Sequence, residues 1–468
     1  MRRPPRHLAL ALALGLALAA PAYAQDAKAP EAAKVEAPKA EPAQNGAAQL
    51  PVPSNLNLQQ SVERGLQANP TIVSARAQLL GSEYSKNSAL ADFFPTATAT
   101  YGVTHYDRQP QSAGVKTADQ DQWAGQLNLH QPVFTGFKLL STFQKAKLTK
   151  EQNEAKLYQA ELSLISAIQT NYLSHLKAKM DVKSAEDSVE RLKSQLKVTQ
   201  AFFDVGLKPK LDVLQAEVDL ATAEQTLLTA RNSLDTTRAK LNSLLDLPLE
   251  APVEYVGELA YAPFGLDLAE CLKRAYGARP DVKIGMKSVE IAEKDASITA
   301  SGFYPQVAGD FNYYKKGDDA TLSNSKYLSN SAKDAWTVGA SASYTFFQWG
   351  STYNQYKAAG ENVSRMRADL ENTKLGAGFE VKQYLLSQRA AADRIGVARK
   401  SVEAARESYR MALARYQAQV GTNTDVLDAQ AKVSNSEAQL SQALSDYQTA
   451  LSSLYVAMGE KNPALDIR

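Results

Sequence analysis

Asp425 and Asp428 are the first candidates for chemistry, because they lie three residues apart in the segment TDVLD and share one face of a predicted helix. Carboxylates in a first helical turn stabilise the positive end of the helix dipole, and this is the simplest interpretation of the pair. The four histidines are not spaced as metal ligands, and the sequence contains neither a P-loop nor an HExxH motif. The sequence therefore predicts no enzymatic activity, no metal and no cofactor.

The helix start that positions these carboxylates occurs twice in the chain. Asp212 and Asp425, 213 positions apart, both begin the segment DVL. Other landmarks recur in the same order at offsets of 210 to 215, namely Asn69-Pro70 with Arg279-Pro280, Phe94-Pro95 with Tyr304-Pro305, Trp123 with Trp336, and Val205-Gly206 with Val420-Gly421. Ordered landmarks with small insertions indicate an internal duplication. We expect a first structural repeat over 54–250, a linker over 251–265, a second repeat over 266–459 and a tail over 460–468.

The N-terminus predicts export. Residues 1–24 combine three Arg, a short apolar run and the small-x-small sequence Ala22-Tyr23-Ala24, as in a secretory signal peptide. Residues 25–53 are mostly Ala, Pro, Lys and Glu and are predicted to form a disordered leader. Because the signal holds three Arg and no acid, removing it lowers the formal net charge from +2 to about −1. A nearly neutral mature chain argues against a nucleic-acid partner.

Each repeat is predicted to contain two strands in which apolar and polar residues alternate. The predicted ranges are about 94–106 and 123–134 in the first repeat and about 304–314 and 336–347 in the second. Strand length, alternation and aromatic residues near the ends are typical of a membrane β-barrel with an apolar exterior and a polar lumen, and Trp123 and Trp336 are the expected membrane-interface aromatics. Considered alone, these strands also suit a soluble hairpin with one buried face.

Long helices fill the rest of each repeat. The predicted ranges are 137–203 and 211–245, followed by 351–417 and 424–458. Apolar residues recur every seven positions in the shorter helix of each pair, which predicts helices packed side by side as in a coiled coil. A helix of 67 residues is about 100 Å long and far exceeds the ~30 Å hydrocarbon core, so these helices must extend into water. Four strands are too few to close a barrel, so several copies of the chain must complete it.

The arrangement resembles the TolC family of outer-membrane efflux proteins over roughly residues 54–460. The resemblance is carried by the Asn/Arg-Pro helix starts, the strand-to-helix junctions NLHQPVFTGF and SYTFFQWGS, and the turns VGLKPKLDVLQAEVDL and VGTNTDVLDAQAKV. It implies an α+β membrane fold: a homotrimer with a 12-stranded β-barrel, four strands from each chain, continued by a long α-helical coiled-coil barrel. The barrel would contact outer-membrane lipid, and the helical part would lie in the periplasm.

The resemblance also implies a function and partners. The chain would be the outer-membrane exit duct of a tripartite efflux or type I secretion system, passive and gated at its periplasmic end. Its partners would be a periplasmic adaptor (membrane fusion) protein and an inner-membrane transporter of the RND or ABC type. Which cargo it exports stays open. The competing hypothesis is a periplasmic coiled-coil scaffold or adaptor without a pore, which explains the heptads but not the four strands.

Three kinds of site follow from the resemblance. Asp425 and Asp428 would form rings of carboxylates at the periplasmic constriction, where like charges hold cations and disfavour anions. The adaptor would contact the turns at Gly206, Leu207, Gly421 and Thr422. In the family a Tyr and an Arg beside the second turn bind a Thr-Asp pair at the first and lock the entrance. Asp212 is the gate-link candidate here, whereas Leu211 stands at the Thr position, Ala418 at the Tyr position and Asn423 nearest the Arg position.

Overall fold

The structure is a computed structural model that describes residues 53–322, 326 and 334–463. The predicted signal peptide, nearly all of the predicted leader and the last five residues of the chain lie outside the described residues.

Both repeats contain the same order of helices and long strands, with two further short strands described in the first and a 3-10 turn in the second. The first comprises β1 (Asn55–Leu56), α1 (Leu58–Ala68), α2 (Pro70–Ala91), β2 (Thr96–His105), β3 (Gln111–Ser112), β4 (Val115–Lys116), β5 (Asp121–Phe134), α3 (Lys138–Asp204) and α4 (Lys210–Leu244). The second comprises β6 (Glu254–Tyr255), α5 (Leu268–Ala278), α6 (Pro280–Ala300), a 3-10 turn (Ser301–Phe303), β7 (Gln306–Gly317), β8 (Asp334–Ser343), α7 (Ser351–Gln417) and α8 (Asn423–Ala457). Four long strands and two pairs of long helices among the described residues agree with the predicted fold class.

Local sequence signals explain where the shorter helices begin. At α1 the Asn57 side chain accepts a hydrogen bond from the Gln60 amide at 2.8 Å, and the Gln60 side chain accepts one from the Asn57 amide at 3.0 Å. This reciprocal capping box satisfies two amide groups that the helix itself leaves without partners. Pro70 and Pro280 occupy the first positions of α2 and α6, where the missing N–H costs nothing.

The four long strands form one antiparallel sheet in the order β2-β5-β7-β8. Its register places Ala99, Leu127, Tyr313 and Trp336 in one row across the four strands. The adjacent row, which points to the other face, contains Thr98, Asn128, Asn312 and Thr337. The sheet therefore has an apolar face and a polar face.

The predicted end of the last strand is wrong for the single chain. The range about 336–347 was expected to be extended, but β8 ends at Ser343, and residues 344–348 belong to no strand. β7, the neighbour of β8, begins at Gln306 opposite Ser343, so residues beyond Ser343 have no partner strand among the described residues.

The long helices lie side by side in the order α4-α3-α8-α7, because α3 packs against α4 and α8, and α8 packs against α7. Closer to the sheet α2 packs against α3, and α6 lies between α3 and α7. One apolar core joins α1, α2, α3 and the end of α4, and includes Ile72, Ile168, Leu241 and Tyr255. A second joins α5, α7 and α8 around the fully buried Cys271. Among the described helices, none combines the length and the apolarity needed to cross a membrane.

Candidate functional site at the helical turns

Two turns, 205–209 between α3 and α4 and 418–422 between α7 and α8, lie at the far end of the long helices from the sheet. With 67 residues, α3 separates the first turn from the sheet by about 100 Å. Gly206 has φ +74° and so reverses the chain in a conformation that favours glycine. Three apolar side chains at the turns, Val205, Leu207 and Val420, are more than half exposed, at 68%, 53% and 68%.

Asp425 is held in place by the start of α8. Its carboxylate accepts a hydrogen bond from the Thr422 amide at 3.0 Å, and the Thr422 hydroxyl accepts one from the Asp425 amide at 3.1 Å. The Thr422 amide, the Thr422 hydroxyl bond and the charge of Arg415 lower the pKa of Asp425. Asp425 is exposed, so the structure presents an ionised carboxylate that is fixed by its helix cap.

Asp428 lies one helical turn further on and borders a groove between α4 and α8, with α3 as its floor. The groove encloses about 630 Å³ and contains two further carboxylates, those of Asp181 and Asp219. Burial and the negative charge of Asp428 raise the pKa of Asp219. The groove also contains the Lys177 ammonium, which lies 2.6 Å from the Asp181 carboxylate, so three carboxylates face one ammonium. The sequence analysis identified Asp428 but missed Asp181 and Asp219.

Four buried polar side chains, which we call the tip polar cluster, connect α3 to the second turn: Gln195, Thr199, Tyr416 and Asn423. The Asn423 side chain accepts a hydrogen bond from the Gln195 amide group at 2.7 Å and donates one to the backbone carbonyl of Asp212 at 3.3 Å. The Tyr416 hydroxyl lies 3.1 Å from the Thr199 hydroxyl. The cluster thus joins α3, α7 and α8 to the start of α4.

The cluster modifies the expected gate link. Asp212 does contact Asn423, but through its backbone carbonyl and not through its carboxylate. Leu211 is 68% exposed, and the aromatic ring at the second turn belongs to Tyr416, two residues before Ala418. Tyr416 is fully buried. The centroid of its ring lies 5.7 Å from the centroid of the Phe202 ring and 5.3 Å from the Lys208 ammonium nitrogen.

The remaining candidate residues lie in the sheet. Trp336 is 62% exposed and stacks on Phe311, whereas Trp123 is half-buried beside Tyr101. Both tryptophans belong to the apolar face. On the polar face the Asn128 amide donates to the Asn312 side chain at 2.8 Å, and His130 lies 2.8 Å from the Asp310 carboxylate.

Taken together, a two-faced sheet whose outer strands have no further partner among the described residues, and helices of about 100 Å, are typical of an export duct in which a β-barrel segment is continued by helices in water. The chain belongs to the outer membrane efflux protein family, whose sequence profile matches residues 62–246 and 271–460.

Individual relatives agree with this assignment. The probable efflux pump outer membrane protein TtgC of Pseudomonas putida is 22% identical over 415 residues, which cover 86% of this chain and 82% of TtgC. The fold is similar to those of VceC from Vibrio cholerae (20% identity, 86% of this chain and 96% of VceC, TM-score 0.75) and CmeC from Campylobacter jejuni (16% identity, 86% and 85%, TM-score 0.76). The predicted outer-membrane location, with the helices in the periplasm, is confirmed. Family membership favours the export duct over a scaffold without a pore.

Proposed function

We propose that three copies of the chain form one outer-membrane exit duct that is closed at its periplasmic end. The observation that carries the proposal is the open sheet: β2 and β8 each have one edge without a partner strand among the described residues. Lipid cannot satisfy the backbone groups of an open edge, so the sheet must close on itself. Three sheets of four strands give a barrel of 12 strands, within the range of outer-membrane barrels.

The periplasmic constriction is formed by Asp425 and Asp428 from each copy. Both carboxylates are exposed at the end of the helices, where three-fold symmetry would bring six of them around one axis. Rings of like charge at close quarters attract cations and repel anions. Burial and, second to it, the negative charge of Asp428 raise the pKa of Asp219, and this second cause supports the proximity of carboxylates in this region.

A periplasmic adaptor protein contacts the two turns, and an inner-membrane transporter of the RND or ABC type supplies the energy. The exposed apolar side chains Val205, Leu207 and Val420 support such contact, because clustered apolar groups on a surface mark binding sites. The other three residues shape the same surface. Gly206 reverses the chain with φ +74°, Thr422 caps α8, and a Cβ at Gly421 would lie 3.2 Å from the Tyr416 nitrogen.

The cargo that we propose is a class of small apolar or amphipathic molecules. Two relatives from Pseudomonas putida support efflux over protein secretion, since one is named a toluene efflux pump outer membrane protein and the other an antibiotic efflux pump outer membrane protein. The choice between small molecules and proteins as cargo is tested by expressing this chain in a strain made drug-sensitive by removal of its native channel gene. Resistance to small apolar compounds is expected to be restored.

The constriction is tested in planar bilayers with the double variant Asp425→Asn and Asp428→Asn. Asparagine keeps the size of the side chain and can still cap the helix, so the variant removes charge alone. We expect the trivalent-cation concentration for half-maximal block to rise about tenfold or more, which corresponds to about 1.4 kcal/mol of binding free energy. Asp204→Asn, which changes an exposed carboxylate at the end of α3 and outside the groove, is the control. Unchanged block in the double variant would contradict the proposed constriction.

A further inference from the structure

The polar face of the four-stranded sheet, which lines the lumen of the proposed barrel, carries few charges. In the observed registers this face takes every second residue of each strand, and most of these residues are Thr, Ser, Asn, Gln or Gly. Within the four described strands, the side chains on this face that can be charged near neutral pH are those of His130, Asp310 and Lys316. His130 lies 2.8 Å from the Asp310 carboxylate, so Lys316 is the one charge of this face without an opposite charge beside it.

Lys316 lies at the outer end of the sheet, away from the helices, one residue before β7 ends at Gly317. It pairs with Ala124 of β5, and Ala124 pairs with Gly102 of β2, so its neighbours in the row are small. The Lys316 ammonium lies 5.6 Å from the centroid of the Tyr314 ring on the same face. The Lys316 side chain is exposed and forms no ion pair in the part of the chain that the structure describes.

The carboxylates nearest to Lys316 along the chain or across the sheet do not neutralise it. The Asp318 carboxylate accepts a hydrogen bond from the Lys326 amide at 2.6 Å. Asp121 lies 2.7 Å from His105 on the apolar face, and Asp334 belongs to the apolar face as well. The ammonium of Lys316 therefore projects into the lumen as a free positive charge.

We propose that Lys316 of the three copies forms a ring of positive charge at the outer mouth of the duct, and that this ring makes the mouth prefer anions to cations. The proposal rests on the proposed trimer and adds to it the residue that sets the ion preference of the exit. With Asp425 and Asp428 at the periplasmic end, the duct is negative at its entrance and positive at its exit. Anionic amphipathic molecules are the cargo that such an exit favours.

The width of the barrel lets the ring act on every ion that passes. Twelve strands about 4.8 Å apart and tilted by about 40° give a radius of about 12 Å to the backbone. A lysine stem of four CH₂ groups reaches about 6 Å, so the ammonium groups stand about 6 Å from the axis. This distance is shorter than the Debye length of about 10 Å at 0.1 M salt and longer than that of about 3 Å at 1 M salt. The ring therefore acts at 0.1 M salt and is screened at 1 M.

The second charged position of the lumen is too distant to cancel the ring. Asp310 precedes Lys316 by six residues of β7, which is about 20 Å along the strand. That separation exceeds the Debye length of about 10 Å at 0.1 M salt. His130 also compensates the charge of Asp310 whenever its imidazole is protonated. Lys316 thus determines the local charge of the outer mouth.

Planar bilayers test the ring with the full-length protein. The reversal potential in a shallow KCl gradient gives the ratio of the potassium permeability to the chloride permeability. In Lys316→Gln we expect this ratio to rise at least about threefold around 0.1 M KCl, and much less around 1 M, because salt screens the ring. Lys316→Glu should raise the ratio further. Lys316→Arg should keep the wild-type ratio, because arginine keeps the charge.

Lys315→Gln is the matched control. It removes the same charge one residue earlier, from the apolar face, where Lys315 pairs with Gly125 and Asp334. The permeability ratio of this variant should equal that of the wild type. A rise in Lys315→Gln as large as that in Lys316→Gln would overturn the assignment of the ring to Lys316.

The outcomes separate the ring from the duct. A wild-type permeability ratio in Lys316→Gln channels overturns the ring and leaves the duct intact. An equal change in Lys316→Arg and Lys316→Gln also overturns the ring, since the effect would then not follow the charge. If the wild-type protein forms no channels, the proposed function fails and the ring fails with it.

Discussion

Replacement of Asn423 by Ala is the sharpest test of the closed entrance. Asn423 is 2% exposed, accepts from Gln195 at 2.7 Å and donates to the Asp212 carbonyl at 3.3 Å. Alanine removes these two hydrogen bonds and a longer one from the Thr199 hydroxyl at 3.5 Å, while the Gln195 amide group keeps its bond to Thr199 at 3.3 Å. At about 1 kcal/mol for each of the two shorter bonds, the variant loses about 2 kcal/mol.

The loss shifts the entrance towards the open state, provided that opening separates α8 from α3 and α4. Because 1.4 kcal/mol corresponds to a factor of ten, a loss of about 2 kcal/mol raises the open-to-closed ratio about 30-fold. Single-channel recording of purified protein in planar bilayers measures this ratio as open probability. Thr424→Ala is the matched control, since Thr424 is the next residue but is exposed. An open probability equal to that of the wild type, in a variant that still forms trimers, would refute the role of the tip polar cluster.

Two further predictions concern stability. His175 is 6% exposed beside Tyr255 and Thr237, and burial followed by the charges of Lys179 and Arg238 lowers its pKa from 6.5 to about 4. Because His175 resists protonation in the folded chain, the free energy of unfolding should fall as the pH drops below 6.5, by about 2 kcal/mol per chain at pH 5. Denaturant titrations measure this loss, and the His175→Gln variant should lack this part of the pH dependence. Gly136→Ala should destabilise the strand-to-helix junction by more than about 2 kcal/mol, since φ is +62° and the added Cβ would lie 2.7 Å from the Ser301 carbonyl oxygen. Gly350→Ala is the control, since φ is +79° but the atom nearest to the added Cβ lies 3.7 Å away, so this variant should lose only the energy of backbone strain. An equal loss of melting temperature in the two variants would contradict the proposed clash at Gly136.

Strong periodic signals made most of the fold predictable. The proline-free stretches with heptads indicate the long helices, because many residues contribute to one 3.6-residue pattern. Short elements carry no such signal. The parallel pairing of Asn55–Leu56 with Glu254–Tyr255 spans two residues on each side and joins distant parts of the chain. The β3–β4 hairpin likewise has two residues in each strand and lies between the two strands predicted for the first repeat. An alternating pattern needs at least about four residues to be recognised.

The candidate site was predictable only in part. Asp425 and Asp428 are conspicuous because both carboxylates lie in one short segment, whereas the tip polar cluster unites residues that are more than 200 positions apart. One signal was present in the sequence. Thr199 falls on the same face of α3 as the apolar residues Val189 and Leu192, so a polar residue occupies a position where the helical pattern predicts an apolar one. A buried polar side chain needs a partner, but the sequence does not say which.

The two repeats place different chemistry at matched positions, and this makes the entrance asymmetric. Asn423 and Asp428 of α8 correspond to Lys210 and Gln215 of α4 at the offset of 213. Asn423 is buried against α3 within the chain, whereas Lys210 is exposed. Buried neutral hydrogen bonds are little affected by salt, while exposed charges are screened within about 10 Å at 0.1 M salt. We therefore expect added salt to act on the interactions of Lys210 and to leave the hydrogen bonds of Asn423 unchanged.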